Sequence, residues 1–184
     1  MNDPELIYAQ INLNEALDEI KLPKTFNCGD TRLDKYINSG NLKRAIKSEN
    51  LHATGIFDDA ENLVAFMTVG FASLDKARVQ SLSKGNQPPL LAVAKVIMIA
   101  VDAAHQRRGL GTDLMLEAFE KAMTVHKTIP LKGIYLDAAP GKEDFYSDAF
   151  GFIALDAAGA DGSTPMYIPI GDVIAAFSDS DNTY

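Results

Sequence analysis

Val96-Ile-Met-Ile-Ala-Val-Asp-Ala-Ala-His-Gln-Arg-Arg-Gly-Leu-Gly-Thr112 runs from an apolar strand through a basic, glycine-bearing loop straight into a helix. Backward from this stretch, Leu91 to Val101 is apolar at both alternating positions apart from Lys95, the pattern of a central buried strand. Forward from it, Leu110, Leu114, Ala118 and Ala122 recur every four residues and predict a helix from Gly109 to His126, its apolar stripe packed on that strand. Such a junction suits an anion. Free N–H groups at a helix N-terminus converge and together carry roughly half a positive charge, and glycine lets a phosphate come close to the main chain. Arg107 and Arg108 add formal charge. The loop is not a nucleotide P-loop, because no Gly-x-x-x-x-Gly-Lys is present, and the third glycine of a dinucleotide fingerprint would fall at Leu114. The structural alternative to an anion site is a tight strand-to-helix connection with two exposed arginines.

The rest of the chain bounds the class. Its 184 residues are 47% hydrophobic and 23% charged, enough apolar material for one sizeable core, and predict one domain over residues 1–184. The single Cys28 cannot form an internal disulfide, and Met1 to Leu13 is acidic and lacks the pattern of a signal peptide; both point to the cytoplasm. The longest apolar stretch, Leu90 to Val101, is well short of the roughly 20 residues a membrane span requires, so no membrane partner is expected. The net charge of −8 opposes nucleic acid as a partner. Its distribution is uneven, however. Residues 21–50 carry seven basic against three acidic side chains, whereas residues 133–184 carry one basic against nine acidic. The basic segment is either a solvated helix face or a patch that meets a polyanion.

Strands and helices alternate along the chain, which implies α/β layering. Asp30 or Thr31 can cap a helix carrying Leu33, Ile37, Leu42, Ala45 and Ile46, with a break or bend at Ser39-Gly40. His52 to Phe57 and Leu63 to Leu74 read as an antiparallel hairpin turned at Asp58 to Asn62. Beyond the central strand and its helix come a strand at Leu131 to Ala138, a short helix near Lys142 to Ala149, and strands around Phe152 to Leu155 and Pro165 to Ile170. The polar, acidic end, residues 178–184, is expected to fray.

Gln106-Arg107-Arg108-Gly109-Leu110-Gly111 resembles the Gln/Arg-x-x-Gly-x-Gly/Ala signature of the GNAT N-acetyltransferases. Ile99-Ala100-Val101-Asp102 is similar to the end of that family's fourth strand, and Phe145-Tyr146 followed by Phe150-Gly151-Phe152 to its aromatic "FY…GF" element. The resemblance covers roughly residues 26–170. It implies a GNAT fold, an α/β fold with a mixed, mostly antiparallel central sheet whose central strands splay, flanked by helices. It also implies acetyl-CoA as co-substrate and no metal. By the same resemblance, Ile99, Ala100 and Val101 would pair through their main chain with the pantetheine and thioester. Gln106, Arg107, Arg108, Gly109, Gly111 and Thr112 would hold the pyrophosphate. Tyr146 would protonate the departing thiolate, chiefly through its position, because a phenol of pKa about 10 faces a thiol near 8.5.

The resemblance leaves the acceptor amine open between a small molecule, a protein N-terminus and charged tRNA. Ala92 to Val101 contains no carboxylate to act as base, which favours an amine of low pKa; Asp102 and Glu143 could act only through water. Phe26-Asn-Cys-Gly-Asp-Thr-Arg-Leu-Asp-Lys-Tyr36 resembles the N-terminal element of toxin-like GNAT proteins. Many of these acetylate the α-amine of aminoacyl-tRNA and are neutralised by a small antitoxin, and many relatives dimerise. On that resemblance tRNA would dock through residues 21–50. A non-catalytic module that binds CoA or a protein is the alternative of another class. Cys28 reads as a small buried side chain, and His52, His105 and His126 lack metal-ligand spacing.

Overall fold

The computed structural model describes residues 7–82 and 85–181. In chain order its elements are β1 (Ala9–Asn12), α1 (Leu13–Ala16), α2 (Thr31–Asn38), α3 (Asn41–Lys47), β2 (His52–Phe57), β3 (Leu63–Asp75), β4 (Leu90–Val101), α4 (Leu110–His126), β5 (Gly133–Ala138), α5 (Glu143–Phe150), β6 (Ile153–Ala154), β7 (Thr164–Pro169) and α6 (Ile170–Asp181). Short 3-10 turns lie at Lys76–Val79 and Ala103–His105. The sheet has seven strands in the order β1-β2-β3-β4-β5-β7-β6. β4 and β5 pair in parallel, while β1 with β2, β2 with β3, β5 with β7 and β6 with β7 are antiparallel. The mixed, mostly antiparallel sheet expected from the sequence is therefore present.

Contacts divide the chain into two compact units, one up to Gly70 together with Ile97–Leu116, the other Phe71–Val96 together with the chain from Glu117. In the first unit, Asp58 turns the β2–β3 hairpin by accepting hydrogen bonds from the N–H groups of Ala60 and Asn62. Asp30 caps α2 by accepting from Arg32 and Leu33. The break at Ser39-Gly40 is complete, because Gly40 takes a left-handed φ of +77° and α3 starts afresh at Asn41. Leu13, Phe26, Ile37, Leu42, Ala53, Phe66 and Ala100 form the core, with Phe26 and Phe66 edge to face at 5.6 Å.

In the second unit β5 lies between β4 and β7, in register with β7 from Gly133↔Pro169 to Ala138↔Thr164. Gly133 must be glycine, because a Cβ there would collide with the Tyr167 ring and the Ile168 carbonyl. Leu74, Val79, Leu91, Val93 and Tyr167 pack together, and Phe119 meets Phe150, Phe152 and Phe177. One expectation is corrected: β4 is not buried along both faces, since Leu90, Ala92 and Ile97 are exposed. α6 runs from Ile170 to Asp181 with Ile170 and Val173 buried; residues 182–184 lie outside the described residues. Among the described residues no helix is long and apolar enough to cross a membrane.

Candidate active site

Two backbone bonds show that β4 is irregular. The Ala92 carbonyl accepts from the N–H of Lys132 at 2.9 Å, on the β5 side, whereas the Asp102 N–H donates to the Val64 carbonyl of β3 at 2.8 Å. Groups ten residues apart on a regular strand face the same way, so the alternation slips by one residue between them. The register with β5 is unbroken from Val93↔Gly133 to Val96↔Leu136, which puts the slip beyond Val96. Ile97 to Val101 thus lie past the last β4–β5 pair. Ala100 is buried, while Ile99 and Val101 are half-buried.

The loop that follows is pinned by its own side chains. Asp102 accepts from the N–H of Ala104 and from that of Asn27, and the Ala103 N–H donates to the Asn27 carbonyl. Gln106 donates through Nε2 to the carbonyls of Val101 and Cys28, each at 3.0 Å, so its amide holds the loop. Arg107 sits in the left-handed region at φ +61°, uncommon for a residue other than glycine, and Gly109 follows at +85°. The first helical bond of α4 runs from the Asp113 N–H to the Gly109 carbonyl, leaving the N–H groups of Leu110, Gly111 and Thr112 ahead of it without helical partners. Arg107 and Arg108 are exposed, and among the described residues neither forms an ion pair. Free amides, two unpaired guanidinium groups and an exposed Gly109 make this end of α4 electropositive and open to an anion.

Tyr146 belongs to the second unit. Its ring is buried on α5, edge to face with Phe145 at 5.0 Å and with Phe152 at 6.1 Å. Gly151 ends α5 in a left-handed turn that allows the chain to fold back into Phe152. Burial pushes the Tyr146 phenol up to about 12. Among the described residues its hydroxyl has no hydrogen-bond partner, yet it is not sealed from solvent.

Other candidates fall into structural roles. The Glu143 carboxyl is held below its usual range by its own N–H and by the Thr164 hydroxyl at 3.0 Å, which makes it a poor base near neutral pH. Asp102 caps the 3-10 turn. Cys28 is half-buried, and burial together with nearby Asp34 pushes its thiol up to about 11. His105 Nδ1 meets the Tyr8 hydroxyl, and His126 Nδ1 accepts from Leu131. Among the described residues no group of three or more His, Cys, Asp or Glu side chains is placed to hold a metal. Sequence reasoning missed a network in the second unit. There Lys95 donates to Asp137 at 2.8 Å, Tyr135 donates to the same carboxylate at 2.6 Å, and Arg78 pairs with Asp156. Lys95 and Asp137, and Arg78 and Asp156, are far apart in the chain, and alternation along β4 and β5 was the available signal.

Comparison with known proteins gives the family. No curated protein matches the chain in sequence. A crystal structure described as a bacterial toxin is 32% identical, with a TM-score of 0.86 over 94% of this chain and 96% of that one. AtaT complexed with acetyl-methionyl-tRNAfMet superposes with a TM-score of 0.79 at 18% identity, over 93% of this chain and 99% of that one. A tyrosine-to-phenylalanine mutant of KacT gives 0.74 at 17% identity, over 92% and 99%. At the latter two identities the likeness carries the fold alone. The profile of the acetyltransferase (GNAT) family matches residues 15–152, three quarters of the sequence. With that match and the relative at 32% identity, the chain belongs to the GNAT acetyltransferases.

Proposed function

We propose that this GNAT acetyltransferase transfers the acetyl group of acetyl-CoA to an α-amine, that of an aminoacyl-tRNA. The observation that carries the first half is the run of unpartnered N–H groups at Leu110, Gly111 and Thr112 beside Arg107 and Arg108. A diphosphate fits these donors. The main chain of β4 past Val96 would take the extended arm, with the N–H groups of Ile99 and Val101 as its donors. Acetyl-CoA, when bound, supplies an acyl carbon activated as a thioester. A fixed N–H donor aimed at the oxygen where negative charge develops contributes on the order of 3 kcal/mol.

In the transfer a C–N bond forms, the C–S bond breaks and the proton lost from nitrogen ends on sulfur. Tyr146 stays protonated across the physiological range, because its phenol lies near 12. Complete proton transfer from a phenol of ordinary pKa about 10 to a thiolate whose acid lies near 8.5 is already uphill by roughly 2 kcal/mol, and burial of the phenol raises that cost. Tyr146 therefore acts chiefly as a hydrogen-bond donor to the departing sulfur.

The α-amine follows from acid–base cost. A lysine amine forfeits roughly 4 to 5 kcal/mol to become neutral at pH 7, an α-amine about 1. β4 offers no carboxylate to offset the larger cost, and Glu143, its carboxyl held below the usual range, is a weak base. The bacterial toxin at 32% identity, the tRNA-bound neighbour and the basic side chains on α2 and α3 support charged tRNA as the carrier of that amine. The AtaT and KacT structures also include complexes with an antitoxin or with DNA, which supports a small antitoxin as partner here. The net charge of −8 favours a second reading, a small-molecule or N-terminal peptide amine. Thiol release from acetyl-CoA across charged tRNA, amino acids, polyamines and peptides separates the readings. Turnover with charged tRNA at least tenfold above every other acceptor is expected; a preference for free amino acids or peptides would overturn the tRNA assignment.

A further inference from the structure

We infer that Phe26–Cys28 is a strap that sets the coenzyme loop, and that Asn38 on α2 is a positioning residue acting on that loop through the strap. The inference rests on reading residues 106–112 as the diphosphate grip, and it gives a role to the toxin-like element that acetyl transfer leaves unexplained.

One edge of the strap is fixed by α2. Asn38 accepts from the Phe26 N–H through Oδ1 and donates to the Phe26 carbonyl through Nδ2, both at 2.8 Å. A side-chain amide that pairs with both groups of one residue fixes that residue's orientation as well as its place. One turn earlier, Asp34 Oδ1 accepts from the Cys28 N–H at 2.7 Å. The Phe26 side chain is buried against Phe66, so the strap has little freedom to slide.

The other edge holds the loop. The Asn27 N–H donates to Asp102 at 3.1 Å, the Asn27 carbonyl accepts from the Ala103 N–H at 2.8 Å, and the Cys28 carbonyl accepts from Gln106 at 3.0 Å. Ala103, Ala104 and Gln106 to Gly109 are exposed and have little packing of their own to hold them. Besides the strap, the 102–109 segment is tied among the described residues by the Tyr8–His105 contact, by the Asp102 N–H donating to the Val64 carbonyl and by the local bond from Gln106 to Val101. Every member of this chain of bonds lies in the first unit. A helix remote in sequence from the loop thus sets where the amides after Gln106 point.

The test compares acetyl-CoA with S-acetylpantetheine, which has the thioester and its arm but no diphosphate. Wild type is expected to use acetyl-CoA at much lower concentration. Asn38→Ala should raise the KM for acetyl-CoA about tenfold, with kcat at saturation and kcat/KM for S-acetylpantetheine within about twofold of wild type. Asn38→Asp keeps the acceptor half of the pairing and should raise that KM about threefold. Equal losses with both donors, or no loss with acetyl-CoA, would overturn the positioning role. If Asn38→Ala fails to fold, Asn38→Asp carries the same comparison. A wild type that treats the two donors alike would instead remove the diphosphate grip, and this inference with it.

Discussion

Gly109→Ala tests the coenzyme loop with an internal control. Gly109 has a φ of +85°, and a Cβ built on it meets nothing within 4 Å, so the substitution brings conformational strain without a clash. Holding alanine in the left-handed region costs about 1–2 kcal/mol. In the free protein the exposed loop can relax away from that strain. A ligand that requires the original path must restore it, so affinity should fall by the corresponding factor, about 5- to 30-fold. Gly85 also has a φ of +85° with nothing within 4 Å of its Cβ, but it lies in the connection leading to β4. Gly85→Ala therefore imposes the same strain elsewhere. Calorimetric titration with acetyl-CoA should show the loss for Gly109→Ala and none for Gly85→Ala, with melting temperatures lowered by no more than a few degrees in either. Equal affinities in the two variants would refute the claim that this loop grips the coenzyme.

Further outcomes follow from Tyr146 and Cys28, whose pKa values burial raises. Tyr146→Phe keeps the ring contacts with Phe145 and Phe152 and should lower kcat on the order of 10²-fold, with acetyl-CoA affinity within about twofold; full turnover would clear the tyrosine. The rate should also show no alkaline decline below pH 10, since the phenol lies near 12. The Cys28 thiol, pushed up to about 11, should react with iodoacetamide at pH 7.5 at least tenfold more slowly in the folded protein than in urea. Its raised pKa stabilises the fold fully below its ordinary value of 9.0, and that contribution is lost as pH rises through about 11. Cys28→Ala should accordingly lose less stability than wild type between pH 8.5 and 11 in urea titrations.

The features legible in the sequence were those written locally. The β2–β3 turn could be read from Asp58 to Asn62, and the α2 cap from Asp30, because each side chain bonds main chain two to four residues away. β1 escaped because four residues at a sheet edge carry little alternation, and its strand is defined by pairing with Phe57 to Thr54. α6 escaped because the acidic run after Ser178 masked the spacing of Ile170, Val173 and Phe177. At the site, the open N–H groups could be foreseen from the glycines, whereas the engagement of Gln106 could not, because its partner Cys28 is 78 residues away in the chain.

The diphosphate grip proposed at the start of α4 rests on main-chain amides, groups that every residue except proline carries. The side chains at Leu110 and Thr112 can therefore drift with the neighbouring core or surface while the amide array persists, and a proline at either site would delete one donor outright. Recognition of this kind is inherited with the backbone path, so relatives sharing little sequence can keep one coenzyme while the surfaces that select their acceptors diverge.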